Sequence, residues 1–125
     1  QWWQERLGPT DQPVVDNGAG LSRAARLSPR ALARMLQQAW ASPVMPEFVA
    51  SLPIVGVDGT LRRRPALTAG AAHLKSGSLR DVTALAGYVL AASGQRYVLV
   101  AMVNHPNAGA ARPALDALIA WSAAD

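Results

Sequence analysis

The spacing of apolar positions changes period twice along the chain. Leu32, Met35, Leu36, Ala39 and Trp40 recur at helical intervals and predict a core-facing stripe. Ser28 is placed to cap this helix and Pro29 to open it, and Ser42-Pro43 ends it. A short helix is expected over residues 45–52, with Phe48, Val49 and Leu52 turned inward. From residue 71 the period shortens to two. His73, Lys75, Gly77 and Leu79 alternate with Leu74, Ser76 and Ser78, as in a strand. Two further strand-like runs cover residues 81–91 and 96–104, and Ser93-Gly94-Gln95 between them reads as a hairpin turn. Residues 97–103 are continuously apolar, which suits a central strand covered on both faces. Asn104-His105-Pro106-Asn107 breaks this run. Helical spacing returns over residues 110–123, where Leu115, Leu118, Ile119 and Trp121 are expected on the sheet.

The remaining segments are connectors. Residues 1–7 read as the tail of a helix stopped by Gly8-Pro9, with Trp2-Trp3 packing against another part of the protein. Val14-Val15 is a short apolar run, and Asp16-Asn17-Gly18-Ala19-Gly20 is a turn by composition. Asp58-Gly59 favours a second turn, Arg62-Arg63-Arg64 a solvated face, and residues 67–70 a connector. No internal repeat or low-complexity segment occurs. The order is helices, three antiparallel strands and a terminal helix: an α+β arrangement with helices covering an antiparallel sheet.

Composition narrows the function classes. At 125 residues the chain suits one domain or one piece of a larger one, and 50% hydrophobic residues suffice for a packed core. With 16% charged residues, long disorder is not expected. The net charge of +4 leaves nucleic-acid binding open, but the aromatic residues are few and not interleaved with the basic ones. Attraction to acidic polymers, cell-wall material included, fits equally well. The lack of cysteine removes disulfides, thiolate catalysis and cysteine-ligated zinc. No apolar run reaches the length of about eighteen residues that a transmembrane helix needs. Gln1 begins neither with an initiator methionine nor with a signal-like stretch.

Candidate chemistry centres on residues 71–79. A lysine inside a half-apolar strand is costly unless it meets an anion or a polar network. A strand glycine often marks close approach of a ligand or another backbone. Lys75-Ser76-Gly77-Ser78 therefore suggests an edge strand that recognises something anionic. The loop around Asp16 and Arg23 has two readings, a plain surface loop or a glycine-shaped loop holding both side chains near a site. His73 and His105 lack partners at metal-ligand spacing, so no metal is expected.

Taken together, Asp16-Asn17-Gly18-Ala19-Gly20-Leu21-Ser22-Arg23, Ser51-Leu52-Pro53-Ile54-Val55-Gly56-Val57-Asp58-Gly59-Thr60-Leu61 and Lys75-Ser76-Gly77-Ser78-Leu79 resemble the C-terminal part of the D-alanyl-D-alanine carboxypeptidase/endopeptidase family of low-molecular-mass penicillin-binding proteins. Asp81-Val82, Leu85-Ala86-Gly87-Tyr88 and Ser93-Gly94-Gln95-Arg96 extend the resemblance over nearly the whole chain. The family usually carries Lys-Thr-Gly; here Ser76 replaces the threonine and keeps its hydroxyl.

The resemblance implies a C-terminal portion of the penicillin-binding-protein/serine β-lactamase-like transpeptidase fold, with residues 1–125 forming one partial domain. It implies acyl transfer on peptidoglycan stem peptides through a serine in a Ser-x-x-Lys motif, supported by a Ser-x-Asn motif. Neither motif occurs here: Lys75 is the only lysine, and Ala72 stands three places before it. The chain is thus expected to be a fragment cut before its nucleophile and inactive alone. On this resemblance Lys75, Ser76 and Gly77 are catalytic-strand residues. The N–H of Ser78 is one oxyanion donor, and Arg23 is a candidate for holding a stem-peptide carboxylate. It further implies a periplasmic location, reaction of the complete enzyme with β-lactams, and no cofactor. Truncation is expected to expose faces around Trp2, Trp3 and the helix stripes and to favour self-association, including pairing of strand edges. The alternatives are a cell-wall peptide-binding module that has lost catalysis, and a basic nucleic-acid-binding domain.

Overall fold

The computed structural model describes residues 1–57 and 71–125. The expected turn at Asp58-Gly59, the Arg62-Arg63-Arg64 face and the connector at 67–70 lie outside the described residues.

Three strands form an antiparallel meander in the order β1 (Ala72–Leu79), β2 (Val82–Leu90) and β3 (Arg96–Asn104). Register is continuous: Leu74 lies opposite Gly87, which lies opposite Leu99. The β2–β3 connection closes with Ala91 N–H donating to the Gln95 carbonyl, and Gly94 takes the positive φ of 86° that this turn needs.

Helices α1 (Trp2–Leu7), α2 (Pro29–Trp40) and α3 (Met45–Ala50) precede the sheet. A 3-10 turn (Ala108–Ala111) and α4 (Arg112–Ala124) follow it. Ser28 caps α2 as its sequence predicts, its hydroxyl accepting from Ala31 N–H at 3.0 Å.

The period of two sorts the sheet into two covered faces. Leu74, Leu85, Val89 and Leu99 point to one side and form the core with Leu115 and Ile119 of α4. Tyr88, one position out of phase with Val89, points to the other. Its ring lies 5.0 Å from that of Trp40 and 6.4 Å from that of Phe48. Its hydroxyl donates to the Leu36 carbonyl at 2.6 Å. The sheet is therefore the middle layer between α4 and the α2–α3 pair, and each fully buried aliphatic side chain contributes about 1.5–3 kcal/mol to holding the layers.

Three expectations are corrected. The middle strand is β2, and β3 borders the sheet among the described residues, although helices reach both its faces. A continuous apolar run reports cover on two faces, which a border strand can also have. Trp121 is 75% exposed and does not pack on the sheet. It lies two residues beyond the buried Ile119, about 200° round the helix. The stripe of α2 is not an exposed face, because Leu36 is buried beneath the sheet contacts. Trp2 is 52% exposed, and its ring meets that of Trp3 edge-on at 5.9 Å.

Candidate active site

β1 has one edge against β2 and one edge that the described residues cover only in part. Near its start, Val55 N–H donates to the Ala72 carbonyl at 2.9 Å, and Leu74 N–H donates to the Pro53 carbonyl at 3.0 Å. The Ile54–His73 bridge belongs to the same short pairing. Beyond Leu74, no strand among the described residues pairs with this edge.

Alternate residues of a strand direct their N–H and C=O groups to the same edge. Ala72 and Leu74 use theirs toward residues 53–55, so Ser76 and Ser78 direct theirs to that same edge. Lys75 and Gly77 turn theirs to β2, opposite Ala86 and Ala84. The Lys75 ammonium donates to the Ser76 carbonyl at 2.5 Å, which brings the cation to that edge. The side chain of Lys75 is exposed, and Ser76 is half-buried.

Of the two close approaches expected at Gly77, that of another backbone is not found among the described residues. A Cβ there would meet nothing within 4 Å among the described residues. The glycine that does sit against a neighbouring backbone is Gly87. Its Cβ would lie 2.1 Å from the His73 carbonyl oxygen, and its φ of +152° disfavours any side chain.

The loop before α2 is closed by a two-residue bridge, in which Val14 and Arg26 exchange backbone hydrogen bonds of 2.8 and 2.9 Å. Inside it, Ser22 Oγ donates to the Asp16 carboxylate at 2.5 Å and accepts from Ala24 and Ala25 N–H. Asp16 is thus occupied within the loop. Arg23 reaches out of the loop to Asp81, in the turn after β1, with Nη1 2.9 Å from Oδ1. The guanidinium hydrogen bond, followed by one from the backbone, holds the Asp81 carboxyl below the usual carboxylate range. The two side chains are 59% and 47% exposed, so the pair is open to water and to ligands.

Between this loop and the sheet lies an open groove of about 610 Å³, lined by Arg23, Arg26, Leu79, Asp81, Met102 and His105 among others. Leu79 is in phase with Lys75 along β1, so the groove opens on the sheet face that carries the Lys75 side chain. The tertiary structure therefore assembles a cationic strand edge and an arginine-bearing groove beside one half of the sheet. Two contributors were not singled out from the sequence: Asp81, the partner of Arg23, and the Pro53–Val55 pairing. The Pro53-Ile54-Val55 run was the only local hint of the latter. Among the described residues, no three His, Asp or Glu side chains gather as a metal would require.

Comparison with known proteins gives one consistent result. The model of the D-Ala-D-Ala carboxypeptidase 3 (S13) family matches residues 9–124. The chain is 34% identical over 114 residues to a D-alanyl-D-alanine carboxypeptidase of Actinomadura sp. (strain R39), covering 86% of this chain and 21% of the relative. It is 29% identical over 100 residues to the D-alanyl-D-alanine carboxypeptidase DacB of Haemophilus influenzae, covering 77% of this chain and 21% of that protein. The chain thus spans about a fifth of the length of these relatives. Among solved structures it resembles penicillin binding protein 4 of H. influenzae in complex with a β-lactam, with a TM-score of 0.74 and 26% identity. That match covers 83% of this chain and 25% of the other. It shares its fold with a predatory endopeptidase of Bdellovibrio bacteriovorus at a TM-score of 0.81 and 16% identity, over 98% of this chain and 35% of that one.

Proposed function

The chain belongs to the D-Ala-D-Ala carboxypeptidase 3 (S13) family, and from that premise we propose that it supplies the Lys-Ser-Gly strand to a serine-type peptidase acting on peptidoglycan stem peptides. The observation that carries this reading is the edge of β1 with which no strand among the described residues pairs beyond Leu74, and the Lys75 ammonium that lies beside it.

The nucleophilic serine comes from outside these 125 residues, which hold no Ser-x-x-Lys. It attacks the carbonyl carbon of the D-Ala-D-Ala amide. The C–N bond then breaks, the departing amine takes up a proton, and an acyl-enzyme ester remains. Water cleaves that ester and restores the serine. Ser78 N–H donates to the oxyanion of the tetrahedral intermediate, where a fixed donor is worth far more than water. Lys75 places positive charge beside the hydroxyl network and the terminal carboxylate of the substrate, and Ser76 Oγ donates to that carboxylate. Gly77 leaves the open space in which the peptide lies along β1 as an added strand. Arg23 holds a carboxylate of the stem at the groove. β-Lactams acylate the same serine as substrate mimics, and the peptidoglycan substrate places the protein in the periplasm.

The test uses the full-length gene product and the 125-residue chain side by side with a labelled penicillin. The full-length protein becomes covalently labelled on a serine, and Lys75→Ala abolishes the labelling. The short chain alone is not labelled and does not release D-alanine. A full-length protein that binds stem peptides without labelling would instead support a cell-wall peptide-binding module. Covalent labelling of the short chain would overturn the assignment of the nucleophile. The short chain also associates with itself through its exposed strand edges and Trp121.

A further inference from the structure

We propose that Gly87 is a positioning residue for the Lys75-Ser76-Gly77 strand, acting with the Pro53–Val55 segment as a clamp on β1 immediately before Lys75; this rests on the active-site reading above. The argument begins with where β1 is held. Among the described residues, the last backbone bond on its outer edge is Leu74 N–H to the Pro53 carbonyl, at 3.0 Å. On its inner edge the residue opposite Leu74 is Gly87. Here β2 comes so close that a Cβ would stand 2.1 Å from the His73 carbonyl oxygen and 3.0 Å from Leu74 Cα. Both contacts are with main-chain atoms, so no rotamer change can relieve them.

The position of this contact gives it a functional consequence. Residues 73 and 74 are gripped from both edges, and Lys75 follows them directly in β1. The strand that carries Lys75 thus projects from a fixed point, and its pose is set by how β1 leaves that point. A side chain at 87 must push β1 outward at His73 or untwist β2, and either movement displaces Lys75 and the Ser78 N–H together. Gly87 touches neither substrate nor reacting atoms; it acts through the backbone of His73 and Leu74. Gly94 offers the contrast. It also holds a positive φ, 86°, but a Cβ there meets nothing within 4 Å, and it lies in the far hairpin.

The experiment compares Gly87→Ala, Gly94→Ala, Pro53→Gly and wild type in the full-length protein, reading the acylation rate by benzylpenicillin per folded molecule together with thermal melting. Gly87→Ala is expected to lower the acylation rate constant by about 100-fold, the loss that a displacement of about 1 Å produces, with little change in the concentration for half-maximal rate. Gly94→Ala lowers the melting temperature but is acylated at the wild-type rate. If Gly87→Ala does not fold, Pro53→Gly decides: loosening the outer grip slows acylation several-fold in a protein that still melts cooperatively. A folded Gly87→Ala protein, or failing that Pro53→Gly, acylated at the wild-type rate would overturn the clamp. Wild-type protein that is not acylated at all would instead remove the active-site reading on which the clamp rests.

Discussion

The hydroxyl of Tyr88 donates to the main-chain carbonyl of Leu36 at 2.6 Å, joining the middle strand of the sheet to the body of α2 across 52 residues of sequence. The bond is buried, so the carbonyl that accepts it has little access to water in exchange. Tyr88→Phe keeps the ring contacts with Trp40 and Phe48 and removes only this donor. The expected cost is about 0.5–1.5 kcal/mol, measured by urea unfolding of the 125-residue chain; an unchanged midpoint would show that the ring alone holds α2.

The same residue predicts the alkaline limit of the fold. Burial raises the Tyr88 pKa above the ordinary tyrosine value, so the folded chain keeps the proton that the unfolded chain releases. Tyr97 acts in the same direction, because its hydroxyl donates to the Asp125 carboxylate. Stability from these two groups is fully present below about pH 10 and declines as pH rises beyond it. In melting curves from pH 8 to pH 11, Tyr88→Phe should flatten the decline, and a parallel decline in the variant would place its cause elsewhere.

Arg23 and Asp81 give opposite variants a diagnostic use. Both side chains lie largely in water, so breaking their pair has a small effect on melting. If Arg23 holds a stem-peptide carboxylate, Arg23→Ala raises KM for an anionic stem peptide in the full-length protein, whereas Asp81→Asn frees the guanidinium and leaves KM equal or lower. Equal KM in wild type and Arg23→Ala would exclude that role. The acid side has the reverse sign from the tyrosines. The pKa of Asp81 is lowered in the fold, so its contribution is present above about pH 4 and is lost as pH falls through the depressed value.

The departure from the usual motif is directly testable. Ser76→Thr restores the family's common residue and keeps the hydroxyl, so acylation by penicillin should stay within a few-fold of wild type. Ser76→Ala removes the hydroxyl proposed to bind the carboxylate and should slow acylation by roughly 10- to 100-fold, since a hydrogen bond to a charged group is worth about 1.5–3 kcal/mol. Equal rates for both variants would remove Ser76 from the site.

The core and the exposed end of α4 separate stability from association. Ile119→Ala opens a cavity beneath the sheet and should cost about 2–5 kcal/mol. Trp121→Ser, at a side chain 75% exposed, should leave the melting temperature nearly unchanged but weaken self-association in light scattering. A monomeric wild-type chain at high concentration would refute the association itself.

Much of this protein was legible in the order of its residues, because local chemistry acts over a few positions. Ser28-Pro29 fixed the start of α2, alternation around Lys75 fixed β1, and Gly94 marked the hairpin; each depends only on backbone geometry and near neighbours. The motif combination containing Lys75-Ser76-Gly77 pointed to the family for the same reason, since its residue types and spacing survive in the sequence itself. Strand order did not follow: an apolar run over 97–103 reports two covered faces, not two paired edges, so β2 rather than β3 is in the middle. Trp121 fell outside the core because a helix has only one stripe to bury. Which glycine bears on a backbone, which aspartate meets Arg23 and which segment pairs with the outer edge of β1 at Ala72 and Leu74 were decided by the tertiary structure alone. Those contacts join residues far apart in sequence, and only the packing of the sheet between α2 and α4 brings them together.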